Sequence, residues 1–217
     1  IETIQKINLP LEFISLCNKH LPLHSKAPLE YLKRRNISKK QILKWKIGYC
    51  REGRYAGRII IPSIDNDGDC NYFIARSYIG HDRRYLNPPC GRDIIFNSLV
   101  VDWDEPVVLV EGVFDAIVVG DNAIPILGST LREDSRLFQA LAIHDTPVFV
   151  ALDSDAEKKA YWIIKSLMKY DLEVKKVNLE EYEDIGSMTQ NVFVQKLKNA
   201  EDVDADMYWL EKQLKSI

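Results

Sequence analysis

Val107-Val-Leu-Val-Glu-Gly-Val-Phe-Asp-Ala-Ile-Val-Val119 and Pro147-Val-Phe-Val-Ala-Leu-Asp-Ser-Asp155 decide how the second half of the chain folds. Each opens with a short apolar run rich in β-branched residues, the composition of a strand covered on both faces. Each run ends abruptly at carboxylates: Glu111 after Val107 to Val110, and Asp153 and Asp155 after Pro147 to Leu152. Around them, strand and helix patterns alternate. Helices are predicted over Val113 to Val119, Arg132 to Ala142 and Asp155 to Tyr170, and further strands over Ala123 to Leu127 and Val174 to Val177. Alternation of this kind implies a parallel sheet with helices on its faces. Two more helices are expected near Val192 to Leu197 and Met207 to Leu214.

Ligands of open parallel sheets bind at the carboxyl ends of the strands, where these acids fall. The i, i+2 spacing of Asp153 and Asp155 aims both side chains the same way while the backbone stays extended. Gly112 permits a tight turn after Glu111. Asp115 lies in the following helical turn, and Asp184 follows the last strand after a short loop. Oxygen-only clusters suit hard cations such as Mg²⁺ or Mn²⁺. Such ions bind phosphates and activate an attacking hydroxyl. The competing reading is that Asp115 and Asp155 are first-turn acids complementing a helix dipole. It accounts poorly for Glu111, Asp153 and Asp155 taken together.

The first half reads differently. Short helices are expected over Leu11 to Lys19, from Pro28 to Arg35, and from Lys39 to Trp45 with Ser38 as N-cap. Arg58 to Pro62 and Asn71 to Ser77 read as strands joined through the turn signal Asp65-Asn-Asp-Gly68, followed by an extended segment at Tyr85 to Pro89. The expected organisation is a basic α+β subdomain over 1–100, an α/β metal-binding domain over 101–190 and C-terminal helices over 191–217. Charge divides similarly. Lys26 to Arg92 carries 15 Lys and Arg against 6 Asp and Glu, a net +9, whereas Asp93 to Ile217 carries 12 against 24, a net −12. A polyanion-binding half beside a metal-binding half is the reading this favours. Tyr49, Tyr72, Phe73, Tyr78 and Tyr85 interleave with the basic residues, and any that are exposed can stack on bases. Lys33, Arg34 and Arg35 form either a phosphate-binding cluster or a solvated helix face.

The chain has 217 residues, of which 46% are hydrophobic and 28% charged. That is enough for a genuine core. Its apolar runs are too short to span a bilayer, and no signal peptide is seen. Cys17, Cys50, Cys70 and Cys90 are singly spaced with no CxxC pair, so no zinc is expected in this chain and free thiols in a cytoplasm are. The first residue is Ile1 rather than Met, as expected of an excised fragment.

Val108-Leu-Val-Glu-Gly-Val-Phe-Asp115, Leu127-Gly-Ser-Thr130 and Phe149-Val-Ala-Leu-Asp-Ser-Asp155 resemble the TOPRIM domain shared by DnaG-type primases, topoisomerases and some nucleases. Upstream, Tyr31-Leu-Lys-Arg-Arg-Asn-Ile-Ser38, Ile47-Gly-Tyr49, Gly57-Arg-Ile-Ile-Ile-Pro62, Asp67-Gly68, the Phe73 to Arg76 stretch and Arg84-Tyr-Leu-Asn-Pro88 resemble, in the same order, the catalytic core of a DnaG-type primase. The resemblance spans roughly residues 28–190. It implies an enzyme that reads single-stranded DNA and joins ribonucleoside triphosphates into short RNA primers. Glu111, Asp153 and Asp155 would then be the metal-holding catalytic acids, matched more loosely by Asp115 and Asp184. Arg58, Arg76, Arg84 and Asn87 would be nucleotide contacts. A replicative helicase and a separate zinc-binding module are the partners it implies.

Departures are visible too. No zinc module precedes the core in this chain, Phe96-Asn-Ser98 lacks an expected lysine, and Ala156-Glu-Lys-Lys159 lacks the usual Arg and Gly. Little chain separates Phe96 from Val107, trimming that fits a phage or mobile element. A TOPRIM nuclease and a non-catalytic single-strand-binding module are the alternatives. A topoisomerase, which needs a further domain for its tyrosine, fits least.

Overall fold

In the computed structural model, residues 6–128, 130–179, 182 and 184–204 are described. The expected helix over Met207 to Leu214 lies outside them. The chain divides into two compact units, Ile1–Val100 and Val101–Ile217.

The first unit is organised by a hairpin. Strands β3 (Arg58–Ile64) and β4 (Cys70–Ser77) pair antiparallel, with Ile61 opposite Ile74. Asp65 closes the turn, its Oδ1 accepting from the amides of Asp67 at 3.1 Å and Asp69 at 2.9 Å. Two short strands, β1 (Phe13–Ser15) and β2 (Gly48–Cys50), extend the sheet in the order β1-β2-β3-β4. The helix expected over Leu11 to Lys19 is therefore absent. Leu11 is fully exposed, whereas Phe13 packs on the core and Leu16 is buried, and Phe13 to Ser15 reaches these contacts as a strand bonded to the edge of β2. Local periodicity loses to tertiary pairing there. Ile59, Ile60 and Ile61 have no exposed surface, so both faces of β3 are covered. Helix α1 (Lys26–Arg34) buries Pro28 and Leu32, and α2 (Lys39–Lys44) buries Ile42. Ser38 caps α2: its hydroxyl accepts from the Gln41 amide, and the Gln41 side chain accepts in return from the Ser38 amide at 2.8 Å.

The second unit contains strands β5 (Val107–Val110), β6 (Ala123–Pro125), β7 (Val148–Ala151), β8 (Val174–Lys176) and β9 (Glu201–Asp202) in the order β6-β5-β7-β8-β9. All neighbouring pairs are parallel except β8 with the edge strand β9. Every residue of β5 is buried, as a central strand requires. The crossovers are α3 (Val113–Val119), α4 (Arg136–His144) and α5 (Glu157–Met168), and α6 (Gln190–Lys198) follows. Helix α4 starts four residues later than its apolar pattern, because Ser135 accepts from the Phe138 amide and ends the preceding turn. The Gln190 side chain donates to the Val119 carbonyl at 3.3 Å, fastening α6 to the end of α3. Among the described residues, no helix is long and apolar enough to cross a membrane.

Candidate metal centre and basic pocket

Strand register explains how three acids distant in sequence meet. Val110 pairs with Ala151 across the parallel β5–β7 ladder. Glu111 is the residue after Val110, and Asp153 stands two beyond Ala151, so both emerge at the carboxyl ends of neighbouring central strands. After Asp153 the chain enters a 3-10 turn, Ser154–Ala156, with the Ala156 amide donating to the Asp153 carbonyl at 2.9 Å. That turn sets Asp155 at the mouth of α5. Ligand oxygens from Glu111, Asp153 and Asp155 lie within 4.8 Å of one another. Gly128, at φ +71°, donates its amide to the Glu111 carbonyl at 3.4 Å and so ties the loop after β6 to the same corner.

Asp153 is the most strained member electrostatically. Its Oδ1 is buried with no hydrogen-bond partner. Burial, reinforced by the negative charges of Asp115, Glu111, Asp184 and Asp155, pushes its carboxyl up to about 7. A buried acceptor left without a donor is expensive. An all-oxygen set with one orphaned oxygen and excess negative charge fits a hard divalent cation, which would satisfy both deficits.

Asp115 and Asp184 stand near enough to act on Asp153, but each also has a local role. Asp115 Oδ2 accepts from the Gly112 amide at 2.9 Å, at the start of α3. Asp184 Oδ1 accepts from the Ser187 amide at 2.7 Å. Two lysines border the acids. Lys159 Nζ donates to Glu111 Oε1 at 2.8 Å, and Lys176 Nζ donates to both carboxylate oxygens of Glu157 at 3.0 and 3.1 Å. Neither lysine was among the expected site residues. The sequence carries no local signal for Lys159, whose partner Glu111 lies 48 residues away.

In the first unit, a concave pocket of about 590 Å³ is lined by Tyr31, Arg34, Arg35, Arg76, Arg84 and His81, among others. Its size is that of a small-molecule site. Four arginines against the single acid Asp82 give it a net positive lining. The Arg76 guanidinium lies 4.6 Å from the Tyr85 ring centroid, and Arg35 Nε donates to the Tyr31 hydroxyl at 3.0 Å. Both cations are thus aimed by an aromatic neighbour. Lys33 is exposed and lies outside the pocket lining.

Other expected contacts are placed differently. Arg58 is 5% exposed, and its guanidinium donates to the carbonyls of Arg83 at 3.0 Å and Arg84 at 3.2 Å. It braces the loop that carries Arg84. Asn87 Oδ1 accepts from the Ala75 amide at 3.2 Å and pins the extended segment against β4. Tyr49, Tyr72 and Phe73 are buried in the core, so base stacking is closed to them. Tyr85 is 42% exposed, with the Arg76 guanidinium over its ring, and Tyr78 is half-buried in the pocket lining.

No protein-family profile matches the chain. A DNA primase of Thermotoga maritima is 23% identical over 190 residues, covering 79% of this chain and 33% of that protein. The chain thus spans about a third of the length of the curated relative it matches. Among solved structures, a DnaG primase catalytic domain bound to single-stranded DNA superposes with a TM-score of 0.74 at 16% identity, covering 90% of this chain and 78% of that one. A DNA primase domain from Pseudomonas aeruginosa gives 0.72 at 20% identity, covering 91% and 78%. The zinc-binding and RNA polymerase domains of the Aquifex aeolicus primase give 0.67 at 20%, covering 81% and 56%. The fold is that of DnaG-type primase catalytic cores.

Proposed function

We propose that the chain is a primase catalytic core that joins ribonucleotides into short RNA primers on single-stranded DNA. The observation that carries this is Asp153: a buried, partnerless carboxylate oxygen amid excess negative charge, at the strand ends of a primase-type fold. In this reading Glu111, Asp153 and Asp155 hold Mg²⁺ or Mn²⁺, with Asp115 and Asp184 keeping the surrounding field negative. The bound ion would neutralise triphosphate oxygens and lower the pKa of the attacking hydroxyl. Arg34, Arg35, Arg76 and Arg84 bind the anionic ligand, a triphosphate or the template backbone, by direct charge neutralisation. Tyr85 offers a base-stacking face beside them. Arg58 and Asn87 act indirectly, by shaping the segments that carry these contacts.

Residues 1–100 form the polyanion-binding subdomain in this account, and residues 101–190 the TOPRIM metal-binding domain. The working environment is the cytoplasm, with a replicative helicase and a separate zinc-binding module as partners. Incubating the chain with single-stranded templates, Mg²⁺ or Mn²⁺ and labelled ribonucleoside triphosphates tests the proposal. Template-dependent oligoribonucleotides are expected, if necessary with the two partners supplied. Cleavage of labelled DNA with no nucleotide addition would replace polymerase by nuclease, and metal-independent binding with neither activity would leave a binding module.

A further inference from the structure

Glu111 has two claimants. It belongs to the carboxylate set that fits a divalent ion, yet one of its oxygens already accepts a 2.8 Å bond from Lys159, and the two side chains are only 30% and 19% exposed. Such a pair is stronger than a surface ion pair, because less water screens it. We infer that Lys159 is a tethered counter-cation of the metal centre. It holds Glu111 in position when the centre is empty, and it keeps the affinity for a divalent ion low when the centre fills. The inference rests on the metal reading of Glu111, Asp153 and Asp155 given above.

The physical argument is one of charge and geometry. Without a cation, three carboxylates with ligand atoms within 4.8 Å of one another repel, and the long Glu111 side chain is the one free to turn away. Lys159 removes that freedom. It reaches Glu111 from the third residue of α5, whose first turn is fastened in turn by the Lys176–Glu157 pair at 3.0 Å. An arriving divalent ion must share Glu111 with the ammonium and accept a positive charge a few ångströms away. Weak binding by the protein alone is what a nucleotidyl-transfer centre needs. Its ion is held partly by substrate phosphates and must be released with them. Lys159 is therefore a positioning residue that acts through Glu111.

Titrating the full chain with Mn²⁺ and following the free-ion signal by electron paramagnetic resonance tests this without reference to activity. Removing one charge beside a bound dication lowers its Kd in Lys159→Met by at least about tenfold, the factor that full aqueous screening would leave. Lys159→Arg, which keeps the charge, stays within about twofold of wild type. In a Glu111→Gln background, Lys159→Met still tightens binding, because the ammonium repels the dication directly, but by a smaller factor, because the competition for the Glu111 carboxylate is gone. Should Lys159→Met fail to fold, Lys159→Gln carries the same expectation. Unchanged or weaker Mn²⁺ binding in the neutral variants, with wild type binding normally, overturns the role of Lys159 alone. If wild type and Asp153→Ala bind Mn²⁺ equally poorly, the metal reading itself fails.

Discussion

Asp153→Asn separates the cost of an empty metal centre from its use. In the metal-free chain the Asp153 carboxyl is pushed up to about 7 from its ordinary 3.8, first by burial and then by its acidic neighbours. Holding a carboxylate in those surroundings costs about 4 kcal/mol at full effect. The site is partly open to water, and screening reduces this to about 2 kcal/mol. An Asn amide there still leaves a buried polar group to satisfy, at a cost of about 1 kcal/mol. The substitution should therefore stabilise the metal-free chain by about 1 kcal/mol, raising its midpoint by about 2–4 °C.

The pH dependence gives the sharper signature. Between about 4 and about 7 the folded Asp153 keeps a proton that the unfolded chain releases, so the unfolded state binds fewer protons and wild-type stability falls as pH rises through that window. The Asn variant lacks this slope, and the gap between the two proteins opens towards pH 7 and is flat above it. Thermal and urea unfolding in EDTA from pH 4 to 8 measures it. Adding Mg²⁺ should then stabilise wild type and leave the variant almost unmoved. An Asn variant less stable than wild type at pH 8 without metal, or a gap independent of pH, would refute the electrostatic account of the site.

Further outcomes follow from other parts of the molecule. Arg76→Ala removes the cation held over Tyr85 in the basic pocket, and should weaken binding of single-stranded DNA or triphosphate by about tenfold at low salt, with a shallower salt dependence in a filter-binding titration. Arg58→Ala removes a buried guanidinium and its bond to the Arg83 carbonyl, while the Arg84 carbonyl keeps the Ser77 amide as donor, so urea unfolding should show a loss of about 1–3 kcal/mol. Leu109→Ala empties a fully buried position on the central strand β5 and should cost about 2–5 kcal/mol by the same measurement. Gly57→Ala places a side chain at φ +67° against Ile79, and should lower the midpoint of thermal unfolding while leaving Mn²⁺ binding intact.

The second unit was the more legible half. Strands β5 and β7 are continuous apolar runs, because an interior parallel strand is buried on both faces, and each run stops where a carboxylate begins, at Glu111 and at Asp153. Glu111, Asp153 and Asp155 could be brought together from that punctuation and the βα alternation alone. The first unit resisted for physical reasons. Phe13 to Ser15 and Gly48 to Cys50 are three-residue strands with no period of their own, held by pairing with a neighbour that is remote in sequence. Charge patterning pointed to a basic surface but not to the role of each arginine. Arg58 and Arg84 look alike in sequence, yet one is buried as a brace and the other lines the pocket. Tyrosines set among basic residues suggested stacking, but Tyr49 and Tyr72 face the core, Tyr78 is half-buried in the pocket lining and Tyr85 is 42% exposed. Lys159 was read as a departure from a motif; its bond to Glu111 spans 48 residues and no local pattern announces it.

The most direct test is a paired measurement on wild type and Asp155→Ala, incubated with a single-stranded template, labelled ribonucleoside triphosphates and Mn²⁺. Asp155 is exposed at the start of α5, so its removal should leave the fold and the basic pocket intact. Wild type should yield short oligoribonucleotides. The variant should yield none while binding the template as tightly. Equal synthesis by both proteins would contradict the account, as would an absence of synthesis by wild type with a helicase and zinc-binding module supplied.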